Sequence, residues 1–267
     1  DMARDERCPK LERQPLTLVL AEFRFKSVEF EPQAIAALKE RFAPLFSELT
    51  EGVTQQVQLG DRGVTVVSAP YIVWRAPLLG KSVHLEADRI IYATTTYPRF
   101  DGFLRDSMAV VEALLETLRP SSLHRVGLRY NDVVVPMQDE ALADYVYAPL
   151  LPFVPLSDNG GKVVRHLSET VVQTAAGTLV VRALAGMHGL GMMPDLQGQF
   201  GLPLAIKVPT DKTTAVLDFD HFWELPELEG EPFSVDVASR RLADLHEPAR
   251  EAFWKVTTDF ARTERWN

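Results

Sequence analysis

Two long amphipathic helical patterns punctuate this chain, and each follows a series of short β runs. The first starts at Asp101, carries Phe103, Leu104, Val111, Leu114, Leu115 and Leu118 along one stripe, and stops before Pro120. The second fills Val235–Trp266, with Leu242, Leu245, Ala249, Phe253, Val256 and Phe260 as its stripe and Pro248 inside it. A helix with a single apolar stripe needs an apolar face to cover, and the runs before each helix supply it. This excludes all-α and all-β architectures.

The β runs are legible from alternation. In Pro15–Lys26, Val19, Ala21, Phe23 and Phe25 fall on one face, while Glu22, Arg24 and Lys26 fall on the other. A helix of about three turns follows from Glu31-Pro32, with Ile35, Leu38 and Phe42 at helical spacing ahead of Pro44. Gln55–Leu59, Val64–Arg75 and Val83–Tyr97 then read as an antiparallel meander, separated by turn residues such as Gly60, Asp61 and Gly63. After Pro120 the order restarts. His124–Val135 is a strand, Glu140–Tyr147 a short helix, and Lys162–Ala185 a hairpin turning at Ala176-Gly177; Leu202–Pro209 and Thr213–Trp223 are two further strands.

Each half therefore reads strand, helix, antiparallel strands, long helix. The expectation is an α+β fold of two helix-on-antiparallel-sheet units, β-α-βββ-α in each, set in pseudo-tandem like two helix-grip units and able to join into one large curved sheet. The domain reading is a flexible leader over 1–14, a first unit over 15–120 and a second over 121–267, packed as one body. No residue-level repeat relates the halves. Ser157–Gly161 and the Gly- and Met-rich Gly186–Gly201 are the flexible segments, the second an adaptable apolar loop or a long surface connection.

Composition narrows the partners. Hydrophobic residues are 46% and charged residues 24% of the 267, as in ordinary globular proteins. The formal net charge of −9 argues against a phosphate-backbone partner, which is held by clustered Lys and Arg. Cys8 has no partner in the chain, so a disulfide scaffold and a cysteine-rich zinc site are excluded, and a reducing cytoplasm is the expected setting. No apolar run approaches the roughly 20 residues that cross a bilayer, and the charged N-terminus lacks the apolar core of a signal peptide.

The segments PLTLVLAEFRF, HRVGLRYND, AVLDFDHF and LADLHEPAREAF, in this order and spacing, resemble the landmarks of a sporadically distributed family of uncharacterised bacterial proteins. The core of the resemblance is Arg125-Val126-Gly127-Leu128-Arg129-Tyr130-Asn131, followed at a distance by Leu245-His246 and Phe253. It implies a bacterial accessory protein encoded beside defence or toxin–antitoxin genes, and no established activity. Asp132 departs from the pattern, which continues after the Asn with a hydrophobic or basic residue.

The candidate site residues are Arg125, Arg129, Asn131 and His246. Period-two alternation puts Arg125, Gly127, Arg129 and Asn131 on one sheet face, where two guanidiniums could clamp a carboxylate or phosphate. The alternative is that they pair with Glu22 or similar acids on a neighbouring strand. His246 on the last helix could act as a base or as an interface donor. Asp218, Asp220 and His221 resemble metal ligands, but a regular strand points His221 away from the two acids, so no metal site and no cofactor is assigned. Glu227, Glu229 and Glu231 read as surface charge; Tyr71, Trp74, Tyr92 and Tyr97 read as a groove or as core. No GxSxG, HExxH, GxxxxGK[ST] or GxGxxG motif occurs.

Two functions follow. One is a non-enzymatic binding or adaptor protein for a protein partner. The other is a hydrolase or binding protein for a small anionic or nucleotide-like ligand held by Arg125, Arg129 and Asn131. A homodimer through the last helix or a free sheet edge is compatible with both.

Overall fold

The computed structural model describes residues 11–60, 63–152, 163–186, 189–226 and 229–267. The leader to residue 10, the Ser157–Gly161 segment, Cys8 and Glu227 lie outside them.

The first half runs β1 (Leu16–Phe25), α1 (Pro32–Phe42), β2 (Glu48–Gly60), β3 (Gly63–Ala76), β4 (Lys81–Glu86), β5 (Arg89–Thr94) and α2 (Phe100–Thr117). The second runs β6 (Ser122–Val134), β7 (Arg165–Gln173), β8 (Thr178–Gly186), β9 (Thr214–Glu224), a two-residue β10 (Glu231–Pro232) and α3 (Val235–Val256). Among the described residues all the strands join one open sheet in the order β2-β3-β4-β5-β1-β6-β9-β8-β7, with β10 beside β6. Neighbours are antiparallel throughout. The protein is thus α+β.

The seam of the sheet is β1 against β6, the first strand of each half. Each of these has a later strand of its own half on its other side, β5 beside β1 and β9 beside β6. Beyond the reach of β4, β2 and β3 continue as a two-stranded arm, paired with each other from Thr54 opposite Ala69 to Gly60 opposite Gly63.

Alternation decides which side of the sheet meets the helices. Val19, Ala21, Phe23 and Phe25 of β1 point to the helix side with Val126, Leu128 and Tyr130 of β6, and all are buried. Phe42 of α1, Phe103 and Leu114 of α2, and Leu242 and Leu245 of α3 close over them. Ser234 caps α3 by accepting the Val237 N–H at 3.2 Å, which satisfies one of the unpaired donors of its first turn. The opposite face carries a second apolar cluster, with Leu18, Leu20, Ile91, Val133 and Val216 beneath Met193, Leu196 and Phe200. Both faces of β1 are therefore covered near its start.

Several expectations are corrected. Val83–Tyr97 is two strands, because Ala87-Asp88 form a tight turn between β4 and β5. Glu140–Tyr147 holds only a short 3-10 turn over Leu142–Asp144. Tyr145 and Val146 are drawn instead to the end of α3, where Tyr147 N–H donates to Val256 at 2.8 Å and Val146 bridges Thr257. That same bridge ends α3 at Val256, with Thr257 extended and helical backbone resuming at Asp259, so Val235–Trp266 is not one helix. Leu202–Pro209 forms no strand, since Pro203 and Pro209 lack N–H donors and both long edges of β9 are already paired with β6 and β8. Residues 11–14 of the expected leader are ordered against the chain end: Leu11 is buried, and Arg13 N–H donates to the Trp266 carbonyl at 2.8 Å.

Candidate functional site

The two arginines of β6 lie on the face away from the helices, as their alternation requires, and both are engaged. Arg125 donates from Nε to Glu22 at 3.2 Å and from Nη1 to Glu224 at 2.6 Å, with its guanidinium 3.7 Å from the centre of the Phe222 ring. Arg129 grips Asp218 at 2.7 and 3.1 Å with one edge and Asp195 at 2.6 and 3.1 Å with the other. Burial opposes the charge of Arg129, but the bonds from Asp195 and Asp218 outweigh it and hold its pKa above the ordinary value. Arg182 completes the cluster on Asp218 at 3.0 Å and on Glu169 at 2.7 Å. These contacts follow the structural alternative: cross-strand ion pairs, Glu22 among them, that fix the register of β1, β6, β9 and β8.

Asn131 has a different task. It is 1% exposed; its Nδ2 donates to Thr17 Oγ1 at 2.7 Å and its Oδ1 accepts the Met193 N–H at 2.9 Å. With Asp195 on Arg129, and with Arg75 donating to the Phe200 carbonyl at 2.9 Å, this pins the Gly- and Met-rich segment to the sheet. The described part of that segment is a plug over the second apolar cluster.

Asp218 and His221 face opposite sides of β9. Asp218 is held by arginines, whereas His221 binds the Leu245 carbonyl at 2.7 Å and Thr174 Oγ1 at 2.8 Å, so no metal-type convergence with Asp220 arises. Pro248 has no N–H for the Asp244 carbonyl, yet α3 runs unbroken through it, and the next carbonyl, that of Leu245, is the one His221 meets. Glu229 is exposed, but Glu231 sits in β10 and pairs with Arg241. Trp74 and Tyr92 are core, and Tyr71 packs on His84, so the four aromatics of the first meander do not share a groove.

His246 leads to the other side of the sheet. Its ring stacks on Phe100 at 3.9 Å, nearly parallel, and its Nδ1 lies 2.9 Å from the Tyr130 hydroxyl, which in turn lies 3.3 Å from that of Tyr97. This chain crosses a cleft of about 580 Å³, within the usual size of small-molecule sites, about 300–1,000 Å³. Its floor is sheet: Tyr130 and Asp132 of β6 and Phe219 of β9. One wall is α3, which presents His246, Ala249, Arg250 and Phe253 at helical spacing. The segment before β1 and the first turn of α2 close the other sides.

Burial raises the hydroxyl pKa of Tyr97 to about 12 and that of Tyr130 well above its ordinary value. Burial, and then the nearby Arg250, push the His246 imidazole down to about 4, so it is neutral. Asp132 is 4% exposed and accepts no hydrogen bond from any described residue. Burial first, and the Asp218 charge second, drive its pKa up to about 8. Among the described residues of the cleft, Asp132 is therefore placed to change charge near neutrality, on an aromatic and partly apolar floor.

Sequence reasoning singled out His246 but placed Tyr130 simply on the apolar face, and noted Asp132 only as a departure from a pattern. The usable signal was parity: an aspartate on the same side as Val126, Leu128 and Tyr130 of a central strand is a carboxyl aimed at the core side. No protein-family model matches the chain, and no curated protein matches it.

Proposed function

We propose that this protein binds a small organic molecule in the cleft between α2, α3 and β6. The carrying observation is Asp132. This carboxyl is 4% exposed, takes no hydrogen bond from any described residue, and lines a cavity of ligand size beside a chain of hydroxyl and imidazole groups. Buried polar groups left open in a concave site are where ligands find their orienting contacts. We do not place the ligand on Arg125, Arg129 and Asn131, whose donors are engaged by Glu22, Glu224, Asp195, Asp218 and the 189–201 segment. Binding without turnover is favoured because the described lining of the cleft holds no serine, threonine, cysteine or lysine, and its one hydroxyl–imidazole pair is mismatched: burial raises the Tyr130 phenol well above its ordinary pKa and makes His246 a weak base, with a pKa of about 4.

The test is a thermal-shift screen of a metabolite and fragment library, with native mass spectrometry of the protein purified without denaturant. A ligand at about a hundred times its Kd adds about 2.7 kcal/mol of stability, a clear shift in Tm. Hits should weaken in Asp132→Asn and Tyr97→Phe. A library that stabilises nothing, in a protein that carries no co-purifying molecule, removes this reading.

A second reading, the adaptor role, is favoured by one edge of the sheet. β7 is exposed on both faces, with Val171 61% and Val172 42% exposed, and among the described residues no strand pairs with its outer edge. A protein partner or a second copy of the chain could add there. Co-purification of a stoichiometric protein that is lost in Val171→Lys would support this role.

The family resemblance belongs to the same proposal, with its bacterial source, cytoplasmic setting and neighbourhood of defence or toxin–antitoxin genes. Among the described residues no helix is long and apolar enough to cross a membrane. The pseudo-tandem relation of the halves is proposed too, supported by the seam, where the first strand of each half is flanked by a later strand of its own half.

A further inference from the structure

The charges of the cleft are separated by depth. Asp132 is on the floor, buried, and no described residue supplies it with a cation: Arg129 and Arg182 serve Asp218 on the other face of the sheet. Among the described residues the rim carries Arg99 and Asp101, with Arg250 on the α3 side already paired to Glu247 at 3.7 Å. Arg99 is exposed and stands immediately before α2, whose first turn has no side-chain cap, so the positive end of an 18-residue helix faces the same rim.

The backbone of Arg99 is the second observation. Its φ of 79° and ψ of 166° fall in a region essentially reserved for glycine, which costs an arginine on the order of 1–3 kcal/mol. Glycine at this position would remove that strain. This arginine stands exposed at the mouth of the cleft, and no ion pair among the described residues engages its guanidinium.

We infer that the ligand is amphoteric: a protonated nitrogen sits on Asp132 at the floor, an acidic group meets Arg99 and the first turn of α2 at the rim, and an apolar body lies between them. This rests on the cleft being a ligand site. The nitrogen gives the buried carboxylate the cation it lacks, so that ionising Asp132 becomes favourable when the ligand is seated. Tyr130, Tyr97 and Phe219 line the cleft with aromatic rings, a setting that suits an ammonium group. Phe100, Phe253 and Trp254 line the span between floor and rim and suit an aromatic or branched apolar body. A free hydrophobic amino acid is the simplest molecule with this chemistry.

The experiment is isothermal titration calorimetry of the full chain with three probes that share one body: L-tryptophan, tryptamine with only the amine, and indole-3-propionate with only the acid. L-Tryptophan is expected to bind at least about tenfold more tightly than either single-charge probe. Asp132→Asn is expected to weaken L-tryptophan and tryptamine by at least about tenfold and to leave indole-3-propionate unchanged. Arg99→Gly is expected to weaken the two acid-bearing probes while raising Tm, an opposition that a merely structural residue does not produce. Indole-3-propionate binding as tightly as L-tryptophan overturns the inference, as does an Asp132→Asn protein that keeps its L-tryptophan affinity, or no binding of any of the three. If a chemically different molecule from the library screen binds in an Asp132-dependent way, the cleft reading stands and only the amphoteric assignment falls; if the screen is empty too, both fall.

Discussion

Asp132 and Asp218 lie one register step apart on the paired strands β6 and β9, and on opposite faces of the sheet, because the residue directly across from Asp218 is Asn131. Asp218 is fully buried but gripped by Arg129 and Arg182. Asp132 has no such partner and feels the charge of Asp218 through the sheet. Two buried carboxyls a few ångströms of backbone apart therefore have opposite roles, one cementing the sheet and the other opening onto a cavity.

The lone carboxyl makes stability depend on pH in a definite direction. Its folded pKa of about 8 lies above the ordinary 3.8, so between those values the native state holds a proton that the unfolded state has released. Stability from this group is greatest below the unfolded value and falls as pH rises towards about 8. Asp132→Asn removes the loss. Relative to the parent, the variant should gain about 3 kcal/mol between about pH 5.5 and pH 9, read from urea unfolding at both pH values. An equal difference at the two pH values would contradict the assignment.

Arg129 and Arg125 share a strand face but should not be equivalent. Arg129→Ala leaves Asp218 buried with Arg182 as its remaining close cation and frees Asp195, and should cost about 3–5 kcal/mol. Arg125→Ala loses one half-exposed partner, Glu224, and one that Arg24 also holds, Glu22, and should cost about 1 kcal/mol. Equilibrium unfolding of the two variants side by side tests the ranking.

Asn131 ties the 189–201 segment to the seam. Replacing it by alanine leaves the Met193 N–H without its buried acceptor and Thr17 without its donor, a cost of about 1–3 kcal/mol. The expected signature is local as well as global: faster amide hydrogen exchange and earlier proteolytic cleavage within 189–201, with β1 and β6 still protected.

The imidazole of His246 should fail to titrate where an ordinary histidine does. Its pKa of about 4 lies below the usual 6.5, so as pH falls through that interval the unfolded state takes up a proton that the native state refuses. This contribution is fully present above about 6.5 and is lost as pH falls towards 4, a trend opposite to that of Asp132 over the same interval. Proton NMR of the His246 ring should show no midpoint between pH 5 and pH 7.5 in the native protein. A midpoint near 6.5 would mean that the ring is neither buried against Phe100 nor close to Arg250.

Much of this arrangement is readable from local pattern. The alternation of Val19 to Phe25 specifies β1 and its helix-side face, and the same rule puts Arg125 and Arg129 opposite the helices, within reach of Glu22. The failures are those that depend on distant partners. Glu140–Tyr147 has helical composition, yet Tyr145 and Val146 serve the end of α3, more than a hundred residues later. Leu202–Pro209 has strand composition but meets no free strand edge. The cleft is the extreme case: His246 stands out as a candidate and Tyr97 reads as groove or core, but nothing in the sequence joins them to each other or to Asp132 until α2 and α3 are laid beside one another on the sheet.

The cleft draws on residues from Leu11 and Leu16 at one end of the described chain, on Tyr97 and Phe100, on Asp132, and on His246 and Trp254 near the other end. The first and last of these stretches are themselves joined by the bond from Arg13 to Trp266. No piece of the polypeptide that stops short of α3 can contain the pocket, so during synthesis it comes into being only after α3 has been added. A molecule that fits it would distinguish a copy with α3 laid on the sheet from one cut before it, and its binding energy would be added at the step in which α3 docks.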